Sequence, residues 1–357
     1  MTDMNGTIEN KTGGNALSRF YGSVKRLFTK SSGLLPTVTA LILMIIVQCI
    51  VIGINEGSVT ALFAKLPQVW LNILRNNTYT GIIALGMCFV IVSGGIDLSV
   101  GSMMCAIGAA LMYMLDPAAG LLAKLGITGP AAYVVAIIAS LLLGFVFGEI
   151  NGALISFWKI PPFIVTLGTM KIFRSVTQHL TKHFSPTVPA GFKQIASLKI
   201  GGSVFLPIVY WVAVAAIMYV VFRKTVFGKH VVAVGSNEKA AHYSGINVRA
   251  VKQLVYALTG VMCAIAAIIY VARIGSRDFS NAGSGYEMEA ISAVIVGGTS
   301  MSGGKGNIAG AFLGMLIMGA MNNVLNMLGV PTFLCDAVRG VIIILAVLVQ
   351  KRDTREL

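Results

Sequence analysis

Ten stretches of this chain are apolar enough to be bilayer-spanning helices, and no other feature constrains the fold as strongly. They run roughly over 35–55, 78–93, 99–115, 131–150, 163–180, 205–222, 251–271, 286–300, 307–328 and 332–349. A spanning helix needs about 20 mostly apolar residues. Several stretches are shorter, so breaks at membrane depth are expected. Such breaks survive only where protein or a water-filled cavity surrounds the freed backbone. The fold class expected is all-α: a polytopic helical membrane protein of about ten transmembrane helices, some broken.

Composition enters as an exclusion. Only 11% of residues are charged and 56% are hydrophobic, against about 25% charged in soluble domains. A disordered chain, a nucleic-acid binder and an ordinary soluble enzyme are excluded. The net charge of +14 reads as basic cytoplasmic loops.

Alternating the segments from an inside N-terminus puts sixteen basic residues inside. They lie in the tail (Lys11, Arg19, Lys25, Arg26, Lys30), at Lys159, in 223–252 (Arg223, Lys224, Lys229, Lys239, Arg249, Lys252), at Lys305, and at Lys351, Arg352 and Arg355. Eight fall outside: Lys65, Arg75, Lys124, Lys182, Lys193, Lys199, Arg273 and Arg277. Both termini are therefore expected in the cytoplasm. The division is 1–33, a basic tail with no cleavable leader pattern; 34–350, the transmembrane domain with a cytoplasmic loop over 223–250; and 351–357, a second tail.

Two glycine-rich stretches interrupt the apolar pattern. Both fit G-G-x-x-x-S-x-G: Gly94-Gly95-Ile96-Asp97-Leu98-Ser99-Val100-Gly101, and Gly297-Gly298-Thr299-Ser300-Met301-Ser302-Gly303-Gly304. Each follows an aliphatic triplet, Val90-Ile91-Val92 and Val294-Ile295-Val296. A second echo pairs Ile160-Pro161-Pro162-Phe163 with Val330-Pro331-Thr332-Phe333. The proline echo falls on opposite sides, which suits an inverted repeat of helices two to five and seven to ten. The glycine echo falls on one side and does not suit it.

Glycine permits unusual dihedrals and close backbone approach. The breaks can therefore line or support a pathway, with Asp97, Ser99, Thr299, Ser300 and Ser302 as polar groups; plain helix packing is the alternative. For Gly144 and Gly148, packing is the reading. Asp97, at a break, suits a helix cap. The other intramembrane charges are Glu149, Lys171, Arg174, Glu287, Glu289, Asp336 and Arg339, and the spacing of Asp336 and Arg339 lets them neutralise one another.

Several chemistries are absent. Gly303-Gly304-Lys305-Gly306 is not a phosphate loop, because Thr299 stands where the first Gly belongs and Gly306 where Ser or Thr must follow the Lys. The five cysteines lie in apolar stretches without a CxxC. His179 and His183 share a helical face but have no carboxylate beside them. No metal or cofactor is expected, and no bond is made or broken on this chain. In the loop, Asn237 can cap a short helix over 238–244 and Gly245 can end it, forming a lever for a partner or a basic loop on lipid headgroups.

The run from Gly81-Ile82-Ile83-Ala84-Leu85-Gly86-Met87 to Ser93-Gly94-Gly95-Ile96-Asp97-Leu98-Ser99-Val100-Gly101 resembles the signature of ribose- and galactoside-type permeases. These are the membrane subunits of bacterial ATP-binding-cassette importers. Pro162-Phe163-Ile164-Val165-Thr166-Leu167-Gly168-Thr169, the loop from Thr225-Val226-Phe227-Gly228-Lys229 to Ser244-Gly245-Ile246, and Ala290-Ile291-Ser292-Ala293-Val294-Ile295-Val296-Gly297-Gly298-Thr299 agree. Asn237-Glu238-Lys239 departs from a more usual Asn-Pro-Glu, and the N-terminal tail is long.

The resemblance implies an inner-membrane permease for a monosaccharide. It implies a second permease copy or paralogue, a cytoplasmic ATPase and a periplasmic sugar-binding protein, with membrane lipid around them and no nucleic acid. Pathway residues would be Gly94, Gly95, Asp97, Ser99, Gly101, Thr166, Gly297, Gly298, Thr299 and Ser302. ATPase coupling would fall to Asn237, Glu238, Ala240, Ala241, Ser244 and Gly245. Importers of nucleosides, amino acids or signalling sugars, and ion-coupled carriers, remain alternatives.

Overall fold

The computed structural model describes residues 34–181, 186–197, 199–200, 203–275 and 281–353. The tails 1–33 and 354–357, and Lys182, His183 and Arg277, lie outside the described residues. In chain order the helices are α1 (Leu35–Glu56), α2 (Val59–Asn76), α3 (Thr78–Val92), α4 (Val100–Leu115), α5 (Leu121–Lys124), α6 (Gly129–Ser156), α7 (Pro162–Thr181) and α8 (Ala190–Ser197). After a hairpin of β1 (Lys199–Ile200) and β2 (Ser203–Val204) come α9 (Leu206–Lys224), α10 (Val226–Ser236), α11 (Glu238–Tyr243), α12 (Val248–Ile274), α13 (Tyr286–Val296), α14 (Ile308–Met327) and α15 (Thr332–Asp353). The hairpin is antiparallel and sets Lys199 opposite Val204.

Among the described residues, α1, α6, α9, α12 and α14 are long and apolar enough to cross a membrane, and α3 and α4 are shorter apolar helices. Local sequence explains their ends. Proline occupies the first turn of α1, α6 and α9, where its missing N–H is not needed. Gly57 ends α1 in the left-handed region at φ 65°, which glycine enters without a steric penalty.

The centre is built on α12, which packs against α6, α3 and α4. Every residue of α3 is buried, as expected for a helix apolar on all sides. Glycines set how closely these helices approach. A Cβ on Gly144 would stand 2.4 Å from the Gly260 carbonyl oxygen, and one on Gly148 2.2 Å from that of Tyr256. This is the packing role expected for small residues between membrane helices. Likewise, a Cβ on Gly81 would strike the buried Trp211 ring at 2.3 Å.

All ten expected segments contain a helix, and α2, α5, α8 and α10 lie outside them. The eighth ends at Val296 rather than 300, because Gly297 and Gly298 terminate it. The helix α2 lies between the first two segments and was not expected. Its Lys65, Pro67 and Arg75 interrupt the apolar run that a spanning helix requires. The glycine breaks lie together at one end of the bundle. The proline echo divides between the two ends: Thr166, near Pro162, reaches the Ile96 carbonyl at 3.4 Å, whereas Val330, beside Pro331, bonds to Leu325 at the far end of α14.

Candidate functional site

Both breaks end a helix with the same hydrogen-bond pattern. After α3, Gly94 N donates to Ile91 O at 3.0 Å and Gly95 N to Val90 O at 2.9 Å. After α13, Gly298 N donates to Ile295 O at 2.9 Å and Thr299 N to Val294 O at 3.1 Å. This is the Schellman closure, which needs a left-handed residue; Gly94 and Gly298 supply it at φ 84° and 88°. The equivalence therefore runs through the aliphatic triplets. Gly94 matches Gly298, Ser93 matches Gly297 and Gly95 matches Thr299, one residue out of step with the G-G-x-x-x-S-x-G alignment. Ser99 and Ser302 are accordingly not equivalent. Ser99 is buried at the start of α4, whereas Ser302 is exposed in a turn. The α14 cap is Asn307, whose Oδ1 accepts from Ala309 N at 3.0 Å.

Asp97 is fully buried. Its Oδ1 accepts from Ser99 N at 2.8 Å and Ser99 Oγ at 2.6 Å. The expected cap is thus an Asx turn leading into α4 rather than a bond to the helix's free N–H groups. Asn151 Nδ2, from α6, donates to Ser99 Oγ at 2.9 Å. Asp97 Oδ2 and Asn151 Oδ1 are buried without a partner. Tyr256 and Thr166 both donate to Ile96 O at 3.4 Å, so three helices, α6, α7 and α12, fix this break. Gly101 gives α4 its close contact with the segment before α13: a Cβ there would stand 2.2 Å from Gly283 O. A cleft of about 20 Å³ beside Gly94, Gly95, Pro162, Lys252 and Tyr256 has room for a water and not for a sugar.

The two breaks meet each other and the loop segment, backbone against backbone. Gly304 N donates to Val92 O at 2.8 Å. A Cβ on Gly235, in the last turn of α10, would lie 1.7 Å from Val92 O and 2.7 Å from Gly304 N. One on Gly303 would lie 2.8 Å from Gly235 O and 3.2 Å from Gly94 Cα. Three distant parts of the sequence close to this distance only because each presents a glycine. Sequence reasoning missed Gly235. Nothing in its neighbourhood signals a partner more than fifty residues away.

The loop itself forms two helices. Thr225 Oγ1 caps α10 by accepting from Gly228 N at 3.3 Å. The expected short helix is α11: Asn237 Oδ1 accepts from Ala240 N at 3.0 Å, and Gly245, at φ 81°, closes it. Asn237, Glu238, Ala240, Ser244 and Gly245 are exposed. Ala241 is not, at 4% exposure; Ile246 N bonds back to its carbonyl at 3.1 Å. Glu238 is tied to Lys252 at 2.7 Å. Tyr243, not anticipated, is 86% exposed at the tip.

Two of the intramembrane arginines are structurally engaged. Arg339 pairs with Asp336 at 2.8 Å, as its spacing implied, and also with Glu289 at 3.0 Å. Arg174 donates to Ala282 O at 2.7 Å. Among the described residues there is no cluster of three metal-ligating side chains, and the cysteines are free thiols.

Comparison with known proteins bears on this geometry. The family model described as branched-chain amino acid transport system / permease component matches residues 69–347. The ribose import permease protein of Bacillus subtilis (strain 168) is 42% identical over 292 residues, covering 81% of this chain and 86% of that protein. The ribose import permease protein of Escherichia coli (strain K12) is 39% identical over 79% of this chain and 85% of its own length. The xylose transport system permease protein of Haemophilus influenzae is 33% identical over 80% and 89% respectively. No solved structure matches. The matched region contains both breaks and the segment clasped against them, and the chain belongs to the branched-chain transport-system permease family.

Proposed function

We propose that this chain is the membrane subunit of an ATP-driven importer that moves a monosaccharide across a bacterial inner membrane by alternating access. The observation that carries the reading is the clasp of Gly235 against Val92 and Gly304. Force applied to α10 and α11 arrives at both helix breaks through backbone, with no flexible side chain between. The exposed tip, with Asn237, Ala240, Tyr243 and Ser244, is the surface offered to a cytoplasmic ATPase. The substrate class rests on the relatives, whose names specify ribose, xylose and D-allose.

The basic residues of 223–252, with Lys159 and Lys305, support a cytoplasmic location for this end. The start of α1 lies there too, since a Cβ on Gly298 would sit 3.8 Å from Thr37 Oγ1. The N-terminus and, after the length of α15, the C-terminus are then cytoplasmic. A periplasmic binding protein delivers the sugar at the opposite end.

The break residues Gly94, Gly95, Asp97, Ser99, Gly101, Thr166, Gly297, Gly298, Thr299 and Ser302 act as hinges that support the pathway. Asp97, Ser99, Thr166 and Thr299 have no exposure, which disfavours a direct lining role. The lining is assigned to the second half of α7, where Lys171, Ser175, Gln178 and His179 are exposed beside Ile172 and Val176. A polar helical face is costly against hydrocarbon, so a second permease copy or paralogue is placed opposite it, with the sugar passing between.

The test is uptake of labelled ribose and xylose into proteoliposomes holding the assembled complex. Replacement of Ala240 with Asp and Tyr243 with Ala together should abolish uptake and leave the permease folded. Wild-type uptake in that variant overturns the docking role.

A further inference from the structure

An apolar groove of about 260 Å³ opens between α6, α9, α10 and α12. Phe145, Val221, Phe227, Leu254, Leu258 and Val261 line it, and no polar side chain does. The wall around it is also apolar and exposed: Leu142, Val146 and Ile150 on α6, and Val220 on α9. That continuity belongs to a surface facing lipid. The polar exposed face lies elsewhere, on α7.

Beyond one end of the groove the chemistry changes. Lys224 stands three residues after Val221, on the same side of α9, with Arg223 beside it, and both are exposed. Lys229 on α10 and Arg249 on α12 are exposed at the same end. The acidic groups there are Glu149, four residues after Phe145, and Glu238, which Lys252 holds. Cationic charge therefore prevails where a lipid headgroup would sit, above a slot shaped for hydrocarbon.

We propose that the groove holds an acyl chain of an anionic phospholipid of the cytoplasmic leaflet, with its phosphate at Arg223 and Lys224. Charge complementarity selects the anionic class. The occupant would bear on the mechanism through Phe227. That ring stacks on Phe89 of α3 at 5.9 Å and 18°, and Phe89 also meets Phe222 edge-on at 5.3 Å. A chain in the groove backs α10 from the lipid side against α3, close before its break. The inference rests on the membrane orientation proposed above and not on the transported solute.

The test is lipid retention by the full chain in nanodiscs of equimolar dioleoyl phosphatidylcholine and dioleoyl phosphatidylglycerol, read by native mass spectrometry. Phosphatidylglycerol should be retained several-fold over phosphatidylcholine. Arg223→Gln with Lys224→Gln should bring the two to parity, and Leu258→Trp should remove both. Parity in the unaltered protein, or retention unmoved by the Gln pair or by Leu258→Trp in a folded protein, overturns the proposal.

A surface variant gives an independent reading should Leu258→Trp misfold. Leu254→Trp, corrected for the native tryptophans, should be quenched more by brominated phosphatidylglycerol than by brominated phosphatidylcholine. Equal quenching overturns the proposal, as does disulfide formation between two copies through Leu254→Cys. Retention is read without transport, so its failure leaves the importer reading standing, and failure of sugar uptake leaves lipid retention standing.

Discussion

Asp97 is tied to Ser99 through one oxygen while the other has no partner, and this asymmetry makes a sharp test. Asn at this position keeps the acceptor and removes a buried unpaired one. Asp97→Asn should therefore fold and keep uptake in proteoliposomes, as should Glu149→Gln; in an ion-coupled carrier both would abolish it. Asp97→Ala strands the Ser99 donors and should cost about 1–3 kcal/mol in denaturant or thermal unfolding. A second carboxylate, Asp116, lies in the loop after α4. Burial raises its pKa, but N–H groups of Thr187, Ala119 and Ala118 donate to it at 2.8, 2.8 and 3.0 Å and hold it below the usual carboxylate range. A depressed native value stabilises the fold at pH above the unfolded value of about 3.9 and ceases to do so as pH falls through the native one. Asp116→Asn should lower the melting temperature at neutral pH, and the difference should vanish on acidification.

At the scale of elements, the glycine contacts predict unequal outcomes for one substitution. Gly235→Ala forces a methyl group against Val92 O, and overpacking of this kind costs about 1–3 kcal/mol. ATP hydrolysis by the assembled complex should continue while sugar uptake falls. Gly53→Ala on α1 meets nothing within 4 Å and should leave both unchanged. The same contrast explains what could be read in advance. The ends of α11 were legible because Asn237 and Gly245 act on their own neighbours. The helix α2 was not, since Pro67 and two cations hide an amphipathic stretch from a search for apolar runs. Ala241, expected at the docking surface, is buried in the structure, because exposure within a one-and-a-half-turn helix depends on what lies beneath it. The register of the two breaks was legible only in the aliphatic triplets, since the closing hydrogen bonds count from the helix and not from the glycine pair.

For the whole molecule, the fold class followed from hydropathy because each spanning segment satisfies its own backbone. The meeting of Val92, Gly235 and Gly304 did not follow, since three residues without distinctive side chains carry no mark of one another. The pairing of two permease chains across α7 proposed above sets an expectation for the whole complex. Native mass spectrometry of the gently solubilised complex should show two permease chains with an ATPase of twin-cassette size. Ser175→Cys should react with a water-soluble thiol reagent in that complex, and Leu142→Cys should not. A lone permease, or inverted labelling, overturns the paired pathway.

The clasp at Gly235 also has a direction. A glycine seated on a carbonyl resists compression steeply, because atoms already in contact cannot interpenetrate. Under tension it offers little, because the hydrogen bond from Gly304 to Val92 joins the two breaks to each other and does not hold α10. In the mechanism proposed above, such a joint would serve as a push-rod rather than a tether, passing a thrust from α10 to the breaks and slackening when drawn back. The return stroke must then be driven by the elasticity of the packed helices themselves.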